Sequence, residues 1–183
     1  MKLFIPVILG TARAGRQTEK AARYVLEEVQ KHPEIETELL DVRDFRLPAT
    51  DNSEESETAK RFEEMVSRAH GYIVVSPEYN HGYPGELKMM LDMLYKQYAR
   101  KPLAICGVSA GPMGGVRMTE QLRLVAVEFH MAPIRETVYF SSVGNLFDEA
   151  GRIKDESYAK RIETMLSELV WFANALKWGR DNL

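Results

Sequence analysis

Ser76-Pro-Glu-Tyr-Asn-His-Gly-Tyr-Pro-Gly-Glu-Leu-Lys88 follows a short apolar run, Gly71 to Val75, and leads into an amphipathic segment that begins near Pro84. Its two prolines and two glycines prevent it from being strand or helix throughout. It presents Glu78, Tyr79, Asn80, His81 and Tyr83 between two apolar elements. Loops of this kind, at the carboxyl ends of parallel strands, are where open α/β sheets hold ligands. Taken alone, the stretch reads equally as a rigid turn with exposed polar residues.

Upstream, Leu3 to Leu9 is almost entirely apolar and ends at Gly10, the pattern of a strand covered on both faces. After a polar loop, Gly10 to Gln17, the positions Ala22, Val25, Leu26 and Val29 share one face of a helix, with Thr18 as its expected cap and Glu19 in its first turn. Pro33 ends that helix, and Ile35 to Val42 reads as a second strand nearer a sheet edge. Arg43 to Glu57 is expected to be a long loop, and Glu57 to Ala69 a helix with Ala59, Phe62, Val66 and Ala69 along its stripe.

Downstream of the opening stretch, Leu87, Leu91, Leu94, Tyr95 and Tyr98 mark a further helix, and Pro102 to Val108 a fourth strand. Ser109 to Gly115 is a glycine-rich turn, followed by a helix on Leu122, Val125, Ala126 and Phe129. Ile134 to Phe140 supplies strand five, Ser141 to Asp155 a loop, and Ile162, Met165, Leu166, Leu169, Phe172, Ala173 and Leu176 the stripe of a last helix. Strands and helices alternate without a linker or repeat, which implies a doubly wound α/β sandwich in one domain, 1–183. Right-handed crossovers then gather the loops after strands one, three and four at one carboxyl edge.

At 183 residues and 45% hydrophobic content, the chain can bury a substantial core. A formal net charge of -3 disfavours nucleic-acid binding through broad phosphate neutralisation, so the expected partners are small molecules or protein. The lone Cys106 rules out an internal disulfide and a cysteine metal cluster within one chain, and within strand four it reads as a buried, inert thiol. His32, His70 and His130 show no metal-ligand spacing, and no metal site is expected. Met1 to Leu9 is too short to span a membrane and has no cleavage pattern, so a soluble cytoplasmic protein, with no membrane partner, is expected.

The loop Gly10-Thr-Ala-Arg-Ala-Gly-Arg-Gln-Thr18 offers backbone N–H groups, two hydroxyls and two guanidiniums beside a helix N-terminus, a setting suited to phosphate. Arg13 can make bidentate contacts with phosphate oxygens, while Thr11, Gln17 and Thr18 can donate without adding charge. Arg16 points either to solvent or to a second phosphorylated ligand. The loop lacks both the P-loop spacing and the dinucleotide fingerprint, which lowers the weight of ATP hydrolysis and ordinary Rossmann binding.

With Ser109-Ala-Gly-Pro-Met-Gly-Gly-Val-Arg117 added to these two loops, the chain resembles the NAD(P)H-dependent FMN reductase family of flavodoxin-like proteins. Asp41-Val-Arg-Asp-Phe-Arg-Leu-Pro48 is also similar to that family's passage out of strand two. The resemblance implies a flavodoxin-like three-layer sandwich with a five-stranded parallel sheet in the order 2-1-3-4-5 and FMN held noncovalently along its carboxyl edge. It implies that Thr11, Arg13, Gln17 and Thr18 take the phosphate, that Pro77, Glu78, Tyr79 and Asn80 border the isoalloxazine, and that Ser109, Gly111, Gly114 and Gly115 form the third wall.

The implied activity is electron transfer from NADPH or NADH through FMN to a small acceptor: a flavin, quinone, azo compound or metal oxyanion. No catalytic side chain is required, because the cofactor carries the chemistry. The implied assembly is a homodimer or a dimer-based tetramer. A nonenzymatic flavodoxin-like electron carrier or flavin-binding regulator, and an FMN-free α/β protein that binds another phosphate ligand, are the competing readings.

Overall fold

The computed structural model of the protein describes residues 2–46 and 56–183. Its strands are β1 (Leu3–Phe4), β2 (Val7–Leu9), β3 (Ile35–Glu36), β4 (Leu39–Asp41), β5 (Tyr72–Pro77), β6 (Pro102–Val108) and β7 (Ala132–Phe140). Five of them form one parallel sheet in the order β4-β2-β5-β6-β7, and β1 pairs with β3 alongside it. Counting β1 with β2 and β3 with β4 as the two first strands gives the expected order 2-1-3-4-5.

The interruption of the first strand has a chemical cause at Pro6, which has no N–H for a ladder. The chain stays extended through it: the amides of Leu3, Ile5 and Val7 donate in turn to the carbonyls of Glu34, Glu36 and Glu38. On the other side Pro6 uses only its carbonyl, which accepts from Ile73 N at 3.1 Å. The proline is tolerated because β5 begins at Tyr72, level with this point. Just before β5, the His70 imidazole stands in as a strand partner and accepts from Phe4 N through Nδ1 at 3.0 Å.

The helices are α1 (Thr18–Gln30), α2 (Glu57–Arg68), α3 (Gly85–Leu91), α4 (Val116–Glu128), α5 (Val143–Leu146) and α6 (Ser157–Asn182). Alternation along β5 divides the core. Ile73 and Val75 face a cluster built with Ala22, Val25 and Val29 of α1 and Ile162, Met165 and Leu169 of α6. Tyr72 and Val74 face the opposite cluster, with Phe62 and Val66 of α2, Leu87 and Met90 of α3, and Met118 and Leu122 of α4. Cys106 is buried in the first cluster, and burial pushes its thiol up to about 12, the condition of an inert side chain.

Three expectations need correction. The helix expected to run from Pro84 through Tyr98 stops at Leu91, because Tyr98 is pulled fully into the core against Tyr72 and Phe129, and its hydroxyl donates to the Leu91 carbonyl at 3.1 Å. A 3-10 turn, Lys96–Tyr98, makes the connection. The segment Ser141 to Asp155, read as loop, contains α5 and an antiparallel bridge between Phe147 and Ile153. The cap position of α1 is Gln17 rather than Thr18, which is the first helical residue and is buried. Of the long loop after strand two, Val42–Phe45 forms a 3-10 turn, and 47–55 lie outside the described residues. No helix among the described residues is long and apolar enough to cross a membrane.

Gly107, near the end of β6, shows how tightly the next loop folds back: a Cβ there would lie 2.4 Å from the Gly114 carbonyl oxygen. Gly107→Ala is expected to lower stability by about 2 kcal/mol or more through this backbone clash. Gly111→Ala, with nothing within 4 Å of its Cβ position, is expected to change it by less than about 0.5 kcal/mol. Urea unfolding midpoints of the two variants check the contrast.

Candidate functional site

The first loop hangs between β2 and α1, and two arginines set its shape, Arg16 from inside and Arg43 from the surface. Arg16 is buried, with its Nη1 donating to the Thr11 carbonyl at 2.5 Å and to Asp41 Oδ1 at 2.7 Å. Its Nη2 reaches Asp41 Oδ2, and its Nε donates to Glu19 at 3.3 Å. Asp41 lies next to the loop because parallel pairing sets it opposite Leu9. Arg43 adds a second clamp, donating to the carbonyls of Ala12 at 3.1 Å and Arg13 at 2.7 Å. Neither alternative for Arg16 holds: it points to neither solvent nor a second ligand, because its charge is consumed within the protein.

Burial favours a neutral Asp41, but hydrogen bonds from Arg16 and from the Arg43 amide hold its carboxyl below the usual range. The same bond to Asp41 raises Arg16 above its ordinary value. With Arg16 buried, Arg13 is the exposed guanidinium of the loop itself, without a carboxylate partner among the described residues, while the exposed Arg43 is engaged by the loop's carbonyls. It lies over the Tyr79 ring, 5.4 Å from the centroid. Thr11 is fully buried; its Oγ1 shares a hydrogen bond with the Tyr79 hydroxyl at 3.1 Å and accepts from Arg13 N at 3.3 Å. Gln17 is exposed, its Nε2 3.5 Å from the Gly15 carbonyl.

The second loop leaves β5 at Pro77, which is buried in register with Val108. Tyr79 and Gly82 exchange backbone hydrogen bonds of 2.8 and 3.0 Å, closing a two-residue hairpin. Its tip residues, Asn80 and His81, both have left-handed backbone, φ 52° and 68°, as a type I′ turn requires. The Glu78 carboxylate turns away from the tip and accepts from Arg117 N at 3.0 Å, Arg117 Nη1 at 3.0 Å and Met118 N at 3.4 Å. Burial works against its ionisation, and these donors outweigh burial to keep it ionised below the ordinary range.

The third loop follows β6 and is anchored toward β7. Ser109 N donates to Phe140 O at 3.1 Å, Ser142 N to Gly111 O at 2.9 Å, and Ser109 Oγ to Gly111 O at 2.8 Å. Gly114 and Gly115 are both left-handed and packed hard against the protein: a Cβ would lie 2.6 Å from Tyr139 Cβ at the first and 2.9 Å from Val108 N at the second. These two glycines serve the close return of the loop onto β6. Gly111 borders open space instead.

The three expected loops therefore meet at one sheet edge, and Thr11, Arg13 and Tyr79 are in direct contact. Asp41, Arg43, Arg117 and Ser142 complete the arrangement without having been expected to. A flavin mononucleotide fits this donor set: Arg13 is open, and the amides of Gln17, Thr18 and Glu19, at the start of α1, have no acceptor among the described residues.

Arg16→Ala is expected to cost about 3 kcal/mol, because it leaves Asp41 largely buried without its partner. The sign for pH follows from the depressed Asp41 carboxyl: its contribution is complete above the unfolded value of about 4 and is lost as pH falls through the folded value. Asp41→Asn, lacking that contribution, should show a shallower loss of stability below about pH 4. Chemical unfolding of wild type and Asp41→Asn between neutral and acidic pH measures the difference.

Comparison with known proteins gives the family. The family described as NADPH-dependent FMN reductase matches residues 3–145. An NAD(P)H-dependent FMN reductase of Nectria sp. is 31% identical over 160 residues, 78% of each chain. A quinone reductase of Pseudomonas putida is 27% identical over 161 residues, 84% of this chain and 86% of the other. The fold is shared with FerB, a flavoenzyme NAD(P)H:(acceptor) oxidoreductase from Paracoccus denitrificans, at a TM-score of 0.76 and 20% identity over 96% of this chain and 97% of that one. With the match covering the sheet and all three loops, the chain belongs to the NADPH-dependent FMN reductase family.

Proposed function

We propose that the protein is an FMN-dependent oxidoreductase that takes electrons from NADPH or NADH and passes them to a small acceptor, with a quinone or free flavin favoured and an azo compound or metal oxyanion as further acceptors. The observation that carries this reading is the exposed Arg13 beside the open amides of α1, at the edge where two further loops converge. The quinone reductase and FMN reductase names of the relatives support the acceptor class. When bound, FMN supplies the capacity to accept hydride and release electrons.

The chain's own residues bind and orient. Arg13, Gln17 and Thr18, with the α1 amides, take the phosphate; Thr11 braces the loop from below through Tyr79. Pro77, Tyr79, Asn80 and the backbone of Glu78 border the ring on one side, and Ser109 and Gly111 on the other, while Gly114 and Gly115 hold the third loop to its shape behind them. No side chain is assigned a proton transfer, so proximity of nicotinamide and acceptor to the ring is the protein's main contribution. We further propose that the single domain 1–183 works in the cytoplasm as a homodimer or dimer-based tetramer. The exposed Tyr95, Leu124 and Val127 on the α4 side support an assembly.

Anaerobic mixing of FMN-loaded protein with NADPH or NADH is expected to bleach the flavin far faster than free FMN; equal rates would remove the reductase assignment and leave a passive carrier. Arg13→Ala is expected to weaken FMN binding roughly 10- to 100-fold, the worth of a charge-assisted contact. Gln17→Ala should cost less than about fivefold. Titration of apoprotein with FMN by fluorescence quenching gives both values, and equal affinity for Arg13→Ala and wild type rejects the phosphate assignment.

A further inference from the structure

We infer that Arg117 is a positioning residue: with Glu78 it forms a clasp that fixes the third loop against the second and offsets the charge that Glu78 places between them. This rests on the FMN reading above. The two loops leave the sheet as neighbours, since β5 and β6 stay paired to Pro77 and Val108. The third loop is held on its β7 side by backbone bonds involving Phe140, Ser142 and Val143. At its far end, where it enters α4, the tie to the second loop is the Glu78 carboxylate.

The need for that tie is local. Gly115 precedes α4 in left-handed conformation and has no side chain with which to cap it. The amides of Arg117 and Met118 are therefore satisfied by a carboxylate from another loop, and Arg117 Nη1 closes on its second oxygen at 3.0 Å. The Glu78 side chain is 10% exposed and that of Arg117 48%. A negative charge so shielded from water, at the border of a ring site, opposes the accumulation of further negative charge there. The guanidinium and the α4 N-terminus offset it. Arg117 is thus placed to influence reduced FMN more than oxidised FMN, although it need not touch either. Its exposure also means that it can be removed without opening the core.

The experiment measures FMN dissociation constants for wild type, Arg117→Ala and Arg117→Lys, with the flavin oxidised and after anaerobic dithionite reduction. Arg117→Ala is expected to lower the affinity for reduced relative to oxidised FMN about tenfold, a downward shift of about 30 mV for a two-electron couple. Arg117→Lys, which keeps the charge, should recover most of that ratio. Combining Arg117→Ala with Glu78→Gln should also recover it, because the unbalanced charge is gone. An unchanged ratio in Arg117→Ala, or a ratio just as depressed in the double variant, overturns the proposal. Failure of the FMN reading is separately visible, since wild type would then retain no flavin absorbance before any variant is compared.

Discussion

The ion pair between Arg16 and Asp41 is the constraint on which the site depends. Parallel pairing of β2 with β4 sets Asp41 opposite Leu9, at the base of the first loop. The buried guanidinium then bridges the Thr11 carbonyl, Asp41 and Glu19, linking the strand end, the neighbouring strand and the first turn of α1. Such a pair is weak evidence for extra stability, because both ions lose hydration. Its effect is on shape. It turns one of the loop's arginines inward, and Arg43 turns in from outside, so the charge left facing solvent is Arg13 alone among the loop's basic side chains.

The second and third loops follow the same pattern, in which charged or strained groups are spent on fixing backbone rather than on contacting a ligand. Glu78 sits in the most suggestive stretch of the chain, yet its carboxylate caps α4. Gly114 and Gly115 are where a close approach to a flat ring would be sought, yet the atoms that crowd them are Tyr139 and Val108. A protein whose cofactor carries the chemistry needs its loops held to shape more than it needs reactive side chains. The hairpin tip, with Asn80 and His81 both left-handed, is held in a conformation uncommon for side-chain-bearing residues.

Much of this was legible in the sequence because it is carried by local chemistry. The apolar runs of β5 and β6 and the spacing of Val25 and Val29 are enough to call the layers, and the chain order of the loops is enough to bring them together. What was not legible depends on register. Nothing near Arg16 in the chain indicates that Asp41, 25 residues on, will be its partner. The early end of α3 is likewise tertiary: Tyr98 fits a helical stripe but is more stable inside the aromatic cluster with Tyr72 and Phe129. Arg117 lay within a recognised motif, but its role appears only once α4 is seen to lack a cap of its own.

The interlocked glycines at the root of the third loop bear on how such a protein can change over evolutionary time. Gly107, Gly114 and Gly115 leave no room for a side chain, so variation at these positions is closed off by the packing of the backbone on itself. Ala110, Gly111, Pro112 and Met113, between them, are exposed. Sequence variation in the third loop therefore has a narrow corridor: four consecutive exposed positions between glycines that admit no side chain.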